Sequence, residues 1–294
     1  MRKPPSPKLA LHYPVVSIVS FLAIGVSVAY WRGWNIAPLL ETPAISQGQL
    51  WRLVTSILPH LNLLHLAFDI YWFWVFGTLI EEKLGHIKIL ALILLLAITS
   101  GAADFALMDG GVGLSGVGYG FFGLLWVLSK TDARFPNAVD KKTIELFVFW
   151  FFLCIITTYT GAMDVANLAH GAGCVLGLLI GGAMACQGRR RQLYRVAITM
   201  LTVVSLWGAT FGRLLVNFSP NLGNELAWQA YMDLQHQHNR MAAKLLQQAI
   251  AHRKPEADWY YNLAVAQDRL GQVAAANKNF LKAKKLNPRQ NIPQ

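Results

Sequence analysis

Apolar residues in this chain come in blocks. Seven blocks, at residues 14–31, 63–80, 88–107, 115–130, 144–162, 168–187 and 195–215, approach or exceed the roughly 18–20 residues a helix needs to cross about 30 Å of hydrocarbon. Each is expected to be a helix, because lipid offers no partner for an unpaired backbone N–H or C=O. The predicted fold is therefore all-α, a polytopic helical membrane protein. The first block lacks a small-x-small cleavage site and more blocks follow, so it reads as a retained helix rather than a signal peptide. After about residue 220 the blocks stop and the chain becomes polar, rich in Ala, Gln, Asn, Lys and Leu.

Composition agrees with this pattern. Hydrophobic residues make up 54% and charged residues 14%, against about 25% charged in soluble domains. The formal charge of +11 would suggest nucleic acid in a soluble protein. Here the cations sit at block ends, with no basic-aromatic surface motif, so no nucleic-acid partner is expected. Arg2, Lys3 and Lys8 precede the first block, and Lys83 and Lys88 follow the second. Lys130, Arg134, Lys141 and Lys142 flank the fourth loop, and Arg189, Arg190 and Arg191 follow the sixth block. Seven crossings from a cytoplasmic amino terminus put all of these on one side, as the positive-inside rule requires. The opposite loops 108–114 and 163–167 carry Asp109 and Asp164 and no Lys or Arg. The expected organisation is a cytoplasmic amino terminus (1–13), six membrane spans (14–187), a basic loop with a seventh span (188–216), and a tail (221–294) outside. The long 32–59 loop, with Trp31, Trp34 and Trp51 in or beside it, is expected to lie partly in the outer headgroup layer. Cys154, Cys174 and Cys186 all fall in apolar segments and read as small hydrophobes.

The tail shows a helical period broken at Gly271. Its pattern of Trp259, Leu263, Gly271, Ala276, Phe280, Ala283 and Pro288 resembles a tetratricopeptide repeat. Ala243 and Pro255 match Ala276 and Pro288 at a 33-residue offset, which suggests a degenerate first repeat. An ordinary helical tail remains the alternative. Repeats of this kind would supply a surface for a protein partner, or would lean on the membrane domain.

Polar residues within the apolar blocks are candidates for chemistry. In "GVGLSGVGYGFFG" (111–123) Ser115 opens the fourth block, and Gly113, Gly116 and Gly120 surround it. In "NLAHGAGCVLGLLIGG" (167–182) His170 opens the sixth, followed by Gly173, Gly177 and Gly181. Small residues every fourth position let two helix backbones approach closely. By the topology above, both blocks start on the outer side, so Ser115 and His170 share a depth. If the glycine faces meet, imidazole and hydroxyl come within reach, which is the minimum for an activated serine. A serine at a helix start also lies beside free N–H groups that can hold an oxyanion. Taken singly, each residue would more commonly be structural; the pairing favours chemistry. The soluble-hydrolase elbow G-x-S-x-G is absent, since Val117 stands where its last glycine would be. In "HLNLLHLAFD" (60–69), His65 and Asp69 share a helix face, and His60 precedes them.

Together "GLSG", "AHGAG", "HLNLLH" and the loop pair Trp51-Arg52 resemble the rhomboid intramembrane serine proteases over residues 45–187. The resemblance implies a six-helix core, Ser115 as nucleophile and His170 as base without a third acidic member. It implies that Tyr119 packs on the histidine, and that Trp51, Arg52 and Glu81 are structural. Its pattern H-x4-H-x3-N is matched by His60 and His65, but Asp69 replaces the asparagine that helps hold the oxyanion. A carboxylate there would repel the oxyanion, whereas a protonated Asp69 would donate a hydrogen bond. The resemblance further implies transmembrane protein substrates cut near the outer face, a multi-pass cell (inner) membrane location and no cofactor. Two other readings stay open. One is a rhomboid-like pseudoenzyme that binds membrane helices. The other is a metal-dependent hydrolase using His60, His65, Asp69 and His170, though no H-E-x-x-H motif is present.

Overall fold

The computed structural model describes residues 4–252 and 255–289. Arg2 and Lys3 of the basic amino terminus lie outside them. Among the described residues there are helices and no strands, as expected of a polytopic helical membrane protein. The chain forms two compact units, Met1–Val216 and Asn217–Gln294.

The first unit contains α1 (Pro14–Trp31), a one-turn α2 (Arg52–Thr55), α3 (Leu63–Leu84), α4 (His86–Leu107), α5 (Ser115–Thr131), α6 (Lys141–Tyr159), α7 (Asn167–Ala185), α8 (Gly188–Ala209) and a one-turn α9 (Arg213–Val216). Five of these (α1, α3, α4, α6 and α7) are long and apolar enough to cross a membrane. Helix α5 has 17 residues and is the most enclosed, with Val117, Phe121, Leu124, Leu125 and Leu128 fully buried. The helix reading of the fifth and seventh blocks holds, but two boundaries move. Helix α6 starts earlier because the Asp140 side chain accepts from the Thr143 N–H at 2.8 Å and caps it. Helix α8 starts at Gly188, so the arginine triplet forms its first turns rather than a loop. Arginine is a good helix former, and nothing after Gln187 stops the chain from winding. It also ends at Ala209, short of residue 215.

Glu81 organises one end of this unit. Its two oxygens accept from the Val15 and Val16 N–H groups at 2.9 and 3.0 Å, and His86 Nδ1 lies 2.7 Å away. It thereby caps the start of α1, where Pro14 already supplies the first helical position. At the other end Arg52 fastens the 32–59 loop. It donates to the Ala37 and Leu40 carbonyls at 2.6 and 2.8 Å and to Gln49 Oε1 at 2.7 Å. The Trp51 side chain is half exposed.

Helices α5 and α7 meet backbone to backbone. A Cβ on Gly173 would run into the Gly116 carbonyl oxygen, one on Gly177 into that of Gly120, and one on Gly123 into that of Cys174. The two fourth-position faces do not simply oppose each other. The Cβ directions of Gly116 and Gly120 point first at Ser100 and Leu96 of α4, and their carbonyls face α7. Gly113 lies before α5 and has φ +106°, so it is a turn residue rather than a helix-packing one.

In the second unit α10 (Leu222–Gln235) pairs with α11 (Asn239–His252), and α12 (Ala257–Arg269) pairs with α13 (Val273–Leu286). Leu226, Leu234, Ala242, Leu246, Trp259 and Leu263 form its main core. Ala276 and Phe280 of α13 pack on Ala264. Gly271 takes φ +75° at the bend between α12 and α13, a conformation that favours glycine. The hairpins are joined by Arg269 donating to the Leu234 carbonyl at 3.0 Å.

Candidate active site

Ser115 is the first residue of α5, and His170 lies one turn into α7. The glycine contacts draw these two helix starts together, and His170 Nε2 sits 2.8 Å from Ser115 Oγ. The imidazole is 4% exposed and stacks on Tyr119, with centroids 4.6 Å apart and planes at 23°. Tyr119 is held in turn by its hydroxyl, which donates to the Phe147 carbonyl at 3.2 Å. Among the described residues none accepts from His170 Nδ1, so the hydrogen-bonded chain that starts at Ser115 ends at this imidazole. With the proton on Nδ1, Nε2 is free to take the Ser115 proton. The side chain of Leu114 provides no cap for α5, which leaves the first N–H groups of the helix available to a developing negative charge.

These groups line a cavity of about 570 Å³, which also receives His65, Asp69, Trp72 and Tyr119. That size suits a peptide side chain or a short extended segment. Residues 47–187 match the family model of the Rhomboid domain.

The chain contains a Rhomboid domain.

Within the rhomboid domain the segment before α3 forms the third side of the site. Asn62 caps α3 by accepting from the His65 N–H at 2.9 Å, which brings His65 and Asp69 under His60. Asp69 Oδ2 lies 3.2 Å from His60 Nε2 and 3.4 Å from His65 Nε2. His60 is fully buried. Its Nδ1 is 3.0 Å from the Leu58 carbonyl, which can only accept, so Nδ1 carries a hydrogen. Its Nε2 receives the Leu114 N–H at 3.3 Å. An unprotonated Nε2 facing an ionised carboxylate would set lone pair against lone pair. One proton is therefore held in the His60–Asp69 contact. Asp69 is thus met by a hydrogen bond to His60 and by His65 Nε2 at 3.4 Å.

Of the residues singled out in the sequence, Ser115, His170, Tyr119, His65 and Asp69 line one cavity, with His60 behind them. Trp51, Arg52 and Glu81 are absent from its lining. The four-residue metal grouping does not form: only His60, His65 and Asp69 converge, and His170 is engaged with Ser115.

Three ionisable groups inside the fold were not anticipated. Glu41, in the 32–59 loop, lines the cavity, accepts from the Gly111 N–H at 3.0 Å and lies 3.1 Å from Ser56 Oγ. Burial pushes its carboxyl up to about 8, with Asp104 adding to the rise, while the Gly111 bond and Arg213 oppose it. Asp104 of α4 accepts from the Ala169 N–H at 3.2 Å. It caps α7 from a neighbouring helix, next to His170, where α7 has no side-chain cap of its own. The Arg213 guanidinium lies 3.4 Å over the Phe105 ring and donates to the Met108 carbonyl at 3.0 Å. An acid inside an apolar block, such as Asp104, was a usable signal. Glu41 and Arg213 carried none, because nothing in a single sequence pairs residues 172 positions apart.

Proposed function

We propose that this multi-pass membrane protein is an intramembrane serine endopeptidase. The observation that carries the reading is the 2.8 Å contact between Ser115 Oγ and His170 Nε2 at the mouth of a cavity. In this mechanism His170 accepts the serine proton as Oγ attacks the scissile carbonyl. The backbone N–H of Ser115 holds the oxyanion, joined by His60 once its Nε2 carries a proton in place of the Leu114 N–H bond. Asp69 keeps the required proton at His60. His170 then returns its proton to the leaving amine, and water releases the acyl group by the same steps in reverse. The substrates are transmembrane proteins cut near the outer face, where a helix-breaking segment lets the scissile bond leave its helix. The protein lies in the cell (inner) membrane with its amino terminus cytoplasmic. The 217–294 unit lies outside, as a tetratricopeptide-like surface for substrate or partner proteins.

Fluorophosphonate labelling of the purified protein tests the mechanism. Wild type is expected to label, and Ser115→Ala and His170→Ala are not. Cleavage of a model transmembrane peptide should follow the same order, and equal cleavage by either variant would sink the proposal. Asp69 favours a second reading, a rhomboid-like protein that binds membrane helices without cutting them. Absence of labelling in a folded wild type that still binds the peptide would decide for it.

A further inference from the structure

His60, His65 and Asp69 do more than replace one polar group by another beside the serine. Each presents one ligand atom, and these atoms all lie within 4.8 Å of one another. The two measured edges, 3.2 Å from His60 Nε2 to Asp69 Oδ2 and 3.4 Å from His65 Nε2 to the same oxygen, bear on the kind of ion. A tetrahedral metal with bonds near 2.0–2.1 Å has ligand–ligand edges of about 3.4 Å. Two imidazoles and a carboxylate are a donor set for Zn²⁺ and similar divalent transition ions, not for Ca²⁺ or Mg²⁺.

A second observation concerns His60 itself. Its Nδ1 hydrogen points at the Leu58 carbonyl, at 3.0 Å, and Ser27 Oγ stands 3.2 Å from the same nitrogen. This is the outer bond that a metal-binding histidine makes. It fixes the tautomer, turns the Nε2 lone pair inward and holds the ring in place. Trp31 Nε1 donating to the His60 carbonyl at 2.9 Å fixes the backbone as well. Gly113 completes the space. A side chain there would meet His65 Nε2 at 2.8 Å and Asp69 Oδ2 at 3.1 Å, so glycine leaves the approach to the three ligands open. His65 and Asp69 face the cavity that contains Ser115, which gives an ion an entry route and a fourth ligand position.

We infer that His60, His65 and Asp69 form a binding site for one divalent transition-metal ion of the zinc class, and that the bound ion switches the serine centre off. Binding displaces the proton held between His60 and Asp69 and gives up the Leu114 N–H bond to His60, the longest contact around that ring at 3.3 Å. The ion takes the His60 nitrogen away from the oxyanion. Its fourth ligand fills the part of the cavity where the scissile carbonyl must enter. The site itself rests on the three side chains alone; only the inhibition rests on the protease reading.

Cobalt reports on both parts. The full chain in detergent, stripped with a chelator, is titrated with Co²⁺ and followed by its visible d–d absorption, then with Zn²⁺ in competition. The expected result is one ion per chain in wild type and in Ser115→Ala. Affinity should fall by about 100-fold or more in His65→Ala and in Asp69→Asn, beyond the 10–100-fold typical of losing only an outer partner. Circular dichroism shows that each variant is folded, and partly exposed His65 gives a variant that leaves the core residues in place. Cleavage of a transmembrane peptide by wild type should fall in step with occupancy. Binding by both variants equal to wild type would overturn the site. Cleavage that is unaffected at full occupancy, or that requires the ion, would overturn the switch. If wild type cuts nothing at any metal level, the protease reading fails, and the cobalt titration alone decides the site.

Discussion

Replacing Gly173 by alanine tests whether the α5–α7 contact sets the distance between nucleophile and base. The new Cβ would overlap the Gly116 carbonyl oxygen and lie 3.1 Å from its carbon and 3.5 Å from its Cα. All three are backbone atoms, so no rotamer change relieves the contact. Restoring ordinary separations of about 3.5–4.0 Å requires the helices to part by roughly 0.5–1 Å. Gly116 is bonded to Ser115, and Gly173 lies one turn from His170, so the movement passes directly to the pair. Its 2.8 Å contact would open to roughly 3.3–3.8 Å, beyond the usual hydrogen-bond range. A misplacement of about 1 Å at a reacting group costs on the order of 10²-fold in rate, and overpacking of this kind costs about 1–3 kcal/mol of stability. The assay is peptide cleavage and fluorophosphonate labelling, with a thermal midpoint for each variant. Gly25→Ala is the control, because nothing lies within 4 Å of a Cβ there; it should be neutral or stabilising by up to about 1 kcal/mol. A Gly173→Ala protein that cuts and labels like wild type would refute the reasoning.

The remaining predictions concern charge and topology. Glu41 holds its proton more tightly folded, at about 8, than in the unfolded chain, at 4.5. Its contribution to stability is therefore full below about pH 4.5 and is lost as pH rises toward 8, by up to about 1.4 kcal/mol per pH unit; the thermal midpoint of Glu41→Gln should fall less over that interval, and an unchanged slope would refute the assignment. Asp69→Asn is expected to keep or raise cleavage, since its amide restores a neutral donor beside the oxyanion; complete loss in a folded protein would show that the charge of Asp69 is needed. Arg213→Met should destabilise by about 3–5 kcal/mol through loss of a cation beside two buried acids, and a midpoint equal to wild type would exclude that role. Protease added outside intact cells should cut residues 221–294, and deleting them should slow natural substrates more than a minimal peptide; a tail reachable only after lysis would refute the orientation.

The parts of the fold that were legible in the sequence are those with a local cause. Helix positions followed from apolar block length, and the Ser115–His170 pairing followed from two glycine series that start at one depth. Boundaries set by a single side chain were not legible: the Asp140 cap moved the start of α6, and the helical arginine turns moved that of α8. The packing direction was half legible. The period of four predicted close approach, but whether a glycine presents its carbonyl or its Cβ side to a neighbour depends on the rotation of each helix, which the spacing does not fix. The role of Asp69 was the least legible. Its repulsion of an oxyanion followed from its charge and its nearness to His65 from the shared helix face, but its contact with His60 followed only from the fold of the 60–69 segment.

The support of the active site does not stop at the ends of the matched rhomboid residues. Upstream of them, α1 supplies Ser27 and Trp31 to His60, and the following loop supplies Glu41 to Gly111. Downstream, Thr202 of α8 lies 3.0 Å from Thr99 of α4, and Arg213 packs on Phe105 and Met108 of the α4 end. A guanidinium buried at that point would be costly alone. It is tolerable because its charge acts on Glu41 and Asp104. Those two acids hold the Gly111 N–H upstream of Ser115 and the Ala169 N–H beside His170. The same cation therefore steadies the approach to Ser115 and the start of the helix that carries His170. The packing that supports the Ser115–His170 contact therefore runs to Val216, and the seventh long helix and its terminal turn belong to its scaffold.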